Sequence, residues 1–214
     1  LGDVYKRQLQ WNKGDGCIYF NTNDEDCRNI YRYSPQTKKF EKLNLETDVT
    51  SAFALSENNP SIAAYIGQSN HNAGVAYLYD MKKKTSRLLA DPMKPILDEI
   101  ELGKTEPWNF TASDGTTIQG MMCLPPNFDP NKKYPLIVYY YGGTTPTERG
   151  ISNPYCAQLF ASRDYVVYVI NPSGTIGYGQ EFSARHVNAW GKRTADDIIE
   201  GTKQSVSYTH LRAH

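Results

Sequence analysis

The sequence predicts a mixed fold, with blades of a β-propeller in the first half and part of an α/β domain in the second. Three observations support this prediction: a strand-type repeat, two apolar runs that do not alternate, and a composition that favours strands. The chain has 214 residues, 16 of them tyrosines, and aromatic side chains are enriched in strands. A chain of this length can bury a sizeable core.

Three short motifs in the first half recur at a constant offset of 46 residues. The pairs are Ile18-Tyr19-Phe20 with Ala64-Tyr65-Ile66, Tyr31-Arg32-Tyr33 with Tyr77-Leu78-Tyr79, and Lys42-Leu43 with Leu88-Leu89. Each repeat reads as apolar strand, polar loop (21–29 and 67–74), alternating strand, lysine-rich turn (34–39 and 80–85) and short strand. A repeat of about 45 residues made of short strands is typical of a propeller blade. Two hairpins of a sandwich are the alternative, but they would not require a constant offset.

The alternating tyrosines of the repeat predict how the blades pack. Tyr31 and Tyr33, like Tyr77 and Tyr79, are two positions apart and therefore lie on one face of a strand. We expect these rings to pack against the next blade. Two blades cannot close a propeller, because each blade needs a neighbour on both sides.

The second half, from residue 105, predicts strands of a different kind. An Asp114-Gly115 turn separates two alternating segments and indicates a hairpin. The runs Leu136–Tyr141 and Tyr165–Ile170 are almost entirely apolar. Runs that do not alternate are typical of strands covered on both faces, as in a parallel sheet.

Two helices are predicted beside these strands, which completes the pattern of an α/β domain. The first covers 152–162 and should direct Tyr155, Leu159 and Phe160 toward the sheet. The second should begin at Thr194, whose hydroxyl can cap it, and the acidic residues 196–197 would favour its first turn.

The composition argues against several classes of protein. Lysine plus arginine and aspartate plus glutamate both number 23, so net charge gives no reason to expect nucleic acid or an anionic membrane as partner. No run approaches the roughly 20 apolar residues of a membrane span, and no signal peptide opens the chain. The four cysteines show no metal-binding spacing. We expect separate buried thiols, with a Cys17–Cys27 disulfide as the alternative.

Both ends of the chain depart from the patterns between them. Residues 1–8 and 205–214 resemble translated sequencing-adapter sequence, with ordinary disordered tails as the alternative. We therefore expect propeller blades over 9–104 and the α/β domain over 105–204, with artefactual sequence outside them. Periplasmic and cytoplasmic locations both stay open, because on this interpretation the natural N-terminus is missing.

An ordered set of motifs after residue 105 carries a resemblance to a known family. The set comprises 114–120 (DGTTIQG), 125–130 (PPNFDP), 132–138 (KKYPLIV), Tyr141-Gly142-Gly143, 171–179 (NPSGTIGYG), Trp190-Gly191 and Asp196-Asp197. It resembles the entry into the catalytic domain of prolyl oligopeptidase family serine peptidases, which include dipeptidyl peptidase IV and acylaminoacyl peptidases. The resemblance implies the last propeller blades followed by the N-terminal half of an α/β-hydrolase domain.

The same resemblance implies a reaction and one site residue. Relatives hydrolyse peptide bonds through an acyl-enzyme, using a serine, histidine and aspartate triad and no cofactor or metal. One oxyanion donor is a tyrosine after the third strand of the hydrolase domain, in a Tyr-Gly-Gly-like turn, and this role maps onto Tyr141. Without the resemblance, Tyr141 would simply be a packed or exposed residue at a strand end. The implied partner is a peptide substrate, and a homo-oligomeric intact enzyme is left open.

The sequence departs from the family pattern at several positions. Proline occupies position 172, where relatives are expected to carry an arginine. No G-x-S-x-G nucleophile motif occurs, and the acid and base would follow the nucleophile in chain order. His186 is therefore a poor candidate base and a better candidate for a helix-face or surface residue. We expect the 214-residue chain itself to lack peptidase activity and to be poorly soluble, because unfinished sheets expose strand edges.

The sequence allows two alternatives to a peptidase to be considered, a nucleotide-binding domain and a non-catalytic binding protein. A nucleotide-binding domain is disfavoured, because Gly174, Gly177 and Gly179 have the wrong order for a dinucleotide fingerprint. A non-catalytic propeller attached to a pseudo-hydrolase stays open as a binding protein. The choice between exopeptidase and endopeptidase, and the preferred residue, also stay open.

Overall fold

A computed structural model describes residues 9–152, 155–189 and 191–209. The chain divides into two compact units. The first unit contains the residues up to Glu99 together with Glu148–Ser152, and the second contains Ile100–Thr147 and the residues from 153 onward.

The first unit is built from two antiparallel four-stranded blades. The first blade contains β1 (Gln10–Asn12), β2 (Cys17–Asp24), β3 (Cys27–Ser34) and β4 (Lys39–Lys42), and the second contains β5 (Val49–Leu55), β6 (Ile62–Gln68), β7 (Val75–Asp80) and β8 (Thr85–Ala90). Within each blade, strands adjacent in sequence are also adjacent in the sheet. The blades are joined through the parallel pairing of β3 with β5, in which Arg28 lies opposite Val49. A short helix, α1 (Lys94–Leu97), follows the second blade.

The repeat read from the sequence corresponds to structurally equivalent positions. Tyr19 on β2 and Tyr65 on β6 have equivalent places and are 1% and 2% exposed. The equivalence extends to backbone conformation, because Lys38 and Lys84 end matching turns and both have a φ of 55°. The short strands and their constant spacing are therefore those of two successive blades.

The predicted polar loop over 21–29 was wrong. The strands β2 and β3 continue through this segment and leave a tight turn at Glu25-Asp26, where Glu25 has a φ of 57°. The polar side chains satisfy one another on the strand surface: Asp24 accepts hydrogen bonds from Asn29 and Tyr31, at 2.8 and 2.9 Å. Lys42 also binds Asp24, at 3.1 Å.

The prediction for the packing between the blades holds for Tyr79, which belongs to the buried core that the two blades share, but not for Tyr31 and Tyr33. Tyr31 stacks on Phe20 of its own blade, with ring centroids 6.1 Å apart, and Tyr33 lies against the neighbouring β4. The ring that reaches the second blade is Tyr19, which stacks on Phe53 at 6.0 Å. The buried core shared by the two blades is formed by Cys17, Tyr19, Ile30, Leu43, Ala63, Tyr65 and Tyr79.

The second unit contains a mixed sheet flanked by short and long helices. Its strands are β9 (Thr105–Pro107), β10 (Phe110–Thr111), β11 (Thr117–Cys123), β12 (Leu136–Tyr139) and β13 (Val166–Asn171), and its helices are α2 (Ala157–Ala161), α3 (Gln180–Ala184) and α4 (Lys192–Thr209). The strand order is β10-β11-β13-β12, with β9 also paired to β11. The predicted parallel pairing is confirmed, because β12 and β13 run parallel.

Strand β13 is the centre of this unit, and all six of its residues are buried. Its Tyr168 is fully buried, and two glycines make room for the ring: a Cβ on Gly120 would lie 2.6 Å from Tyr168 Cε2, and one on Gly201 of α4 would lie 2.9 Å from its hydroxyl. Within the described residues this hydroxyl has no hydrogen-bond partner. Burial raises the pKa of Tyr168, so the hydroxyl stays neutral.

The helix predictions were correct in place and wrong in detail. Helix α2 is only five residues long, and Tyr155 and Leu159 are 61% and 62% exposed, so Phe160 is the predicted residue that packs toward the sheet. Helix α4 begins two residues before Thr194 and continues past residue 204 to Thr209. Within the described residues, no helix is both long and apolar enough to cross a membrane.

None of the four cysteines forms a disulfide. Cys17 and Cys123 are buried, Cys27 and Cys156 are half-buried, and all four are free. Cys17 and Cys27 occupy opposite ends of the β2–β3 hairpin, because Cys27 lies opposite Asp24 in the register. The expectation of separate buried thiols therefore holds for Cys17 and Cys123, whereas Cys27 and Cys156 are separate but only half-buried.

Candidate active site

The candidate site lies in the second unit, where the parallel strands β12 and β13 end. Tyr139 ends β12 beside Val169, and Asn171 ends β13. Tyr141 follows β12 by two residues. In open α/β folds, ligands bind beyond the carboxyl ends of the strands, so Tyr141 and Asn171 occupy the edge where a site is expected.

Tyr141 presents its side chain to solvent at this edge. It is 54% exposed, and its hydroxyl has no hydrogen-bond partner within the described residues. Its ring lies over Gly143, where an added Cβ would be 2.6 Å from Cε1 of the ring and 3.3 Å from the hydroxyl oxygen. A side chain at position 143 would therefore displace the Tyr141 ring from this position.

This role of Gly143 differs from the sequence-based interpretation. The two glycines after Tyr141 were expected to allow a sharp turn of the backbone. Neither Gly142 nor Gly143 has a positive φ, so other residues could adopt their backbone conformations. At Gly142 an added Cβ would meet nothing within 4 Å, which leaves Gly143 as the position that the Tyr141 ring constrains.

The turn after β13 is buried along its whole length. Residues 171–175 are all buried, and Gly174 has a φ of 99°. The hydroxyl of Thr175 donates to the carbonyl of Pro172 at 2.7 Å and closes the turn. Pro172, the position at which an arginine was expected, is thus an internal part of the turn.

Helix α4 holds this turn through Asp197. The Asp197 side chain is 1% exposed, and its Oδ2 accepts the Ser173 backbone N–H at 2.8 Å. Thr194 was predicted to cap the helix, but its hydroxyl instead donates to the Ser173 carbonyl at 3.3 Å. Asp197 and Thr194 therefore bind the two backbone groups of Ser173. These hydrogen bonds give both buried side chains a partner.

Two arginines bring positive charge to the same region. Arg193 lies beside Asp197, with Nε 3.8 Å from Oδ1, and also pairs with Asp114. Arg185 Nη1 lies 3.4 Å from the Ser173 hydroxyl and 3.3 Å from Asp114 Oδ2. Arg185 therefore contacts the turn and Arg193 contacts Asp197, which binds the turn, although Pro172 replaces the expected arginine. Sequence reasoning missed this network, because its members are distant in the chain.

His186 packs against the same turn. It lies in the turn that follows α3 and is half-buried, so the expectation of a helix-face or surface histidine was wrong. An added Cβ on Gly174 would lie 2.8 Å from the His186 Cβ. The ring of His186 thus requires glycine at position 174, which identifies it as a packing residue of the turn.

Together, the two units define a class of protein: propeller-like blades followed by a segment of an α/β-hydrolase domain. Residues 152–212 match the model of the prolyl oligopeptidase family. The chain also superposes on an acylaminoacyl peptidase of Pyrococcus horikoshii with a TM-score of 0.81 and 21% identity, over 97% of this chain and 31% of that one. The predicted fold is confirmed by this likeness.

Relatives of known sequence extend the same resemblance. The Probable dipeptidyl-peptidase 5 of Aspergillus terreus is 40% identical over 86 residues, which are 40% of this chain and 12% of that protein. The dipeptidyl-peptidase 5 of Porphyromonas gingivalis is 26% identical over 192 residues, 89% of this chain and 28% of that protein. The chain thus spans less than a third of these relatives' lengths. Its resemblance to serine peptidases of the prolyl oligopeptidase family is confirmed.

Proposed function

We propose that this chain is part of a serine-type peptidase that hydrolyses peptide bonds of oligopeptides through an acyl-enzyme. The observation that carries the proposal is the placement of Tyr141 at the carboxyl edge of the sheet, in a chain that resembles peptidases along most of its length. The exposed Tyr141 hydroxyl, without a described partner, suits a donor that must meet a substrate oxygen.

The chemistry assigned to Tyr141 is stabilisation of negative charge. When a nucleophile adds to a peptide carbonyl, its oxygen gains a negative charge in the transition state, and a donor already in place lowers that barrier. Tyr141 donates its O–H to this oxygen while the nucleophile, acid and base are supplied by the remainder of the full-length protein. No cofactor takes part in this reaction.

The peptidase proposal is tested first by active-site labelling. A fluorophosphonate probe reacts with an activated serine, so we expect it to label one serine of the full-length protein. The sequence downstream of α4 should contain G-x-S-x-G, since this motif places the nucleophile of an α/β-hydrolase on a sharp strand-to-helix turn. Absence of both the motif and the label would favour the alternative, a non-catalytic propeller and pseudo-hydrolase that binds peptides.

The role of Tyr141 is tested by Tyr141→Phe in the full-length protein. We expect kcat to fall by about 10²–10³ with little change in KM, the usual loss when one oxyanion donor is removed. The matched control is Tyr140→Phe, because Tyr140 is a neighbouring tyrosine that is 44% exposed. Steady-state kinetics on chromogenic dipeptide and acylated amino-acid substrates measures both variants, and equal activities would contradict the role of Tyr141.

A further inference from the structure

We infer that Asn171 is a positioning residue that fixes the loop carrying Tyr141. This loop, residues 140–147, follows β12 and is called the tyrosine loop below. The inference rests on the proposed function, because it assigns to Asn171 an effect that acts through Tyr141. Its basis is a set of hydrogen bonds that join the two ends of the candidate site.

The side chain of Asn171 binds both backbone groups of one loop residue. Its Oδ1 accepts the Thr147 N–H at 2.7 Å, and its Nδ2 donates to the Thr147 carbonyl at 3.2 Å. The second hydrogen of Nδ2 is directed to the Tyr178 hydroxyl at 2.9 Å. Asn171 and Thr147 are 3% and 6% exposed. The amide thus pairs with Thr147 as a neighbouring strand would.

The tyrosine loop is attached to β13 and its turn at three points. At its start, Tyr139 pairs with Val169 in the parallel ladder. In its middle, the Thr144 carbonyl accepts the Ile176 N–H at 2.8 Å. At its end, Thr147 is held by Asn171. Because all three points belong to β13 or to residues soon after it, the fully buried strand sets the position of the loop.

Only an amide of this length satisfies the arrangement at position 171. An apolar side chain would leave the buried N–H and C=O of Thr147 without partners, which costs free energy. Aspartate has the same shape and keeps an acceptor for the N–H, but it presents a second oxygen to the Thr147 carbonyl. The variant Asn171→Asp therefore removes one half of the clamp with little change in volume.

The test is a double-mutant cycle in the full-length protein. We expect Asn171→Asp to lower kcat by about 10–100-fold with KM nearly unchanged, the kind of loss that misplaced catalytic groups cause. In the Tyr141→Phe background the same change should lower kcat less than about twofold, because coupled residues are not additive. A full effect of Asn171→Asp in that background would overturn the inference.

The matched control is Asn12→Asp in the first unit. Asn12 is also a buried amide that binds backbone groups: its Nδ2 donates to the Pro60 carbonyl at 3.0 Å and its Oδ1 accepts the Gly14 N–H at 2.9 Å. Because this amide lies outside the candidate site, the control should leave kcat within about twofold of the parent. If Asn171→Asp does not fold, Tyr178→Phe removes one of the Nδ2 partners and should show a smaller loss with the same dependence on Tyr141. An additive loss for Tyr178→Phe would then overturn the inference.

Hydrogen exchange gives a readout that does not depend on activity. We expect Asn171→Leu, which leaves the Thr147 N–H without its acceptor, to speed exchange at that amide. Mass spectrometry on peptides covering 140–147 measures the exchange, and β11 peptides should stay unchanged. If Tyr141→Phe has normal kcat, the oxyanion assignment fails, and the exchange result alone judges whether Asn171 holds the loop. Unchanged exchange at Thr147 would overturn the positioning inference even if Tyr141 is catalytic.

Discussion

The two units bury polar groups in different places. Among the described residues of the first unit, the buried polar ones are Asn12, Thr47, Thr50 and Ser69, which lie at or near strand ends and in the connections between strands. Of the seven described in the second unit, six lie at or around the end of β13: Thr147, Asn171, Ser173, Thr175, Thr194 and Asp197. A buried polar group needs a partner. Such a concentration beside one strand end means that side-chain hydrogen bonds hold the backbone there.

The strands of the two units also differ in how their residues are buried. The blade strand β6 alternates between buried and exposed residues, whereas β13 is buried at every position. Alternation is expected where one face of a sheet is more exposed than the other. The blades can thus accept different residues at their exposed positions. Every residue of β13 and its turn contacts neighbours, which restricts the side chains that fit there.

The largest expected difference between the units is in the free energy of unfolding lost when one isoleucine in each unit is truncated to alanine. Ile170 on β13 is fully buried, and Ile170→Ala should reduce the free energy of unfolding by about 2–5 kcal/mol. Ile66 on β6 is 44% exposed, and Ile66→Ala should cost about 1 kcal/mol or less. Hydrogen-exchange mass spectrometry resolves each unit separately. Equal costs would mean that β13 is no more constrained than a blade strand.

A smaller effect is expected from replacing one buried tyrosine in each unit by phenylalanine. The free energy of unfolding should fall in the first unit and stay the same or rise in the second. The Tyr65 hydroxyl donates to Ser86 Oγ at 2.8 Å and accepts the Glu46 N–H at 3.0 Å. Tyr65→Phe should therefore destabilise the first unit by about 1–2 kcal/mol. Tyr168→Phe should be neutral or stabilising, because its buried hydroxyl has no described partner. A clear loss for Tyr168→Phe, seen as faster exchange in β13, would indicate a hydrogen bond made outside the described residues.

The smallest effect should be a response of the first unit to acid. Burial tends to raise the pKa of Asp24, but hydrogen bonds from Lys42, Tyr31 and Asn29 outweigh it and hold that pKa below its ordinary value of 3.8. The stabilisation is therefore complete above pH 3.8 and is lost as the pH falls through the lowered value. We expect a contribution under about 1 kcal/mol, because Asp24 and Lys42 are both partly exposed.

Asp24→Asn provides the comparison for this response. The variant should be less stable than the parent at pH 6 and should lose less stability between pH 6 and pH 3, because it has no carboxylate to protonate at this position. The measurement is the hydrogen-exchange rate of β2 and β3 peptides at the two pH values, corrected for intrinsic exchange. Parallel losses in parent and variant would show that Asp24 does not contribute to acid sensitivity.

Much of the fold was predictable because it depends on local patterns. The constant offset between Tyr19 and Tyr65 located equivalent strands, and the continuous apolar runs located the parallel pair β12 and β13. Side-chain direction was less predictable where an element was short. Leu159 was assigned to the buried face of a predicted eleven-residue helix, but α2 has five residues and leaves it exposed.

The candidate site was predictable only in part. Tyr141 was assigned through the resemblance of its Tyr-Gly-Gly turn to that of related peptidases, and its role stays a prediction. The pairing of Asn171 with Thr147 joins residues 24 positions apart, and no local pattern reports which backbone a distant amide will meet. The same reason explains why the partner of the Thr194 hydroxyl was predicted wrongly. This hydroxyl could cap a helix or bind Ser173, and only the position of the turn after β13 decides between the two.

The joint between the two blades has a consequence for how such a chain can change over time. Within the described residues, the register between β3 and β5 consists of one parallel pair, Arg28 with Val49. Side chains make much of the rest of the joint: Tyr19 stacks on Phe53, and amide side chains of the first blade bind the backbone of the second, namely Gln10 to Phe53 and Leu55, Asn12 to Pro60 and Asn21 to Thr50. Each blade forms its own ladder, so a gene duplication or deletion of one blade would leave the backbone pairing of the others intact. Selection would then need to adjust the rings and the amide side chains that meet at each new joint.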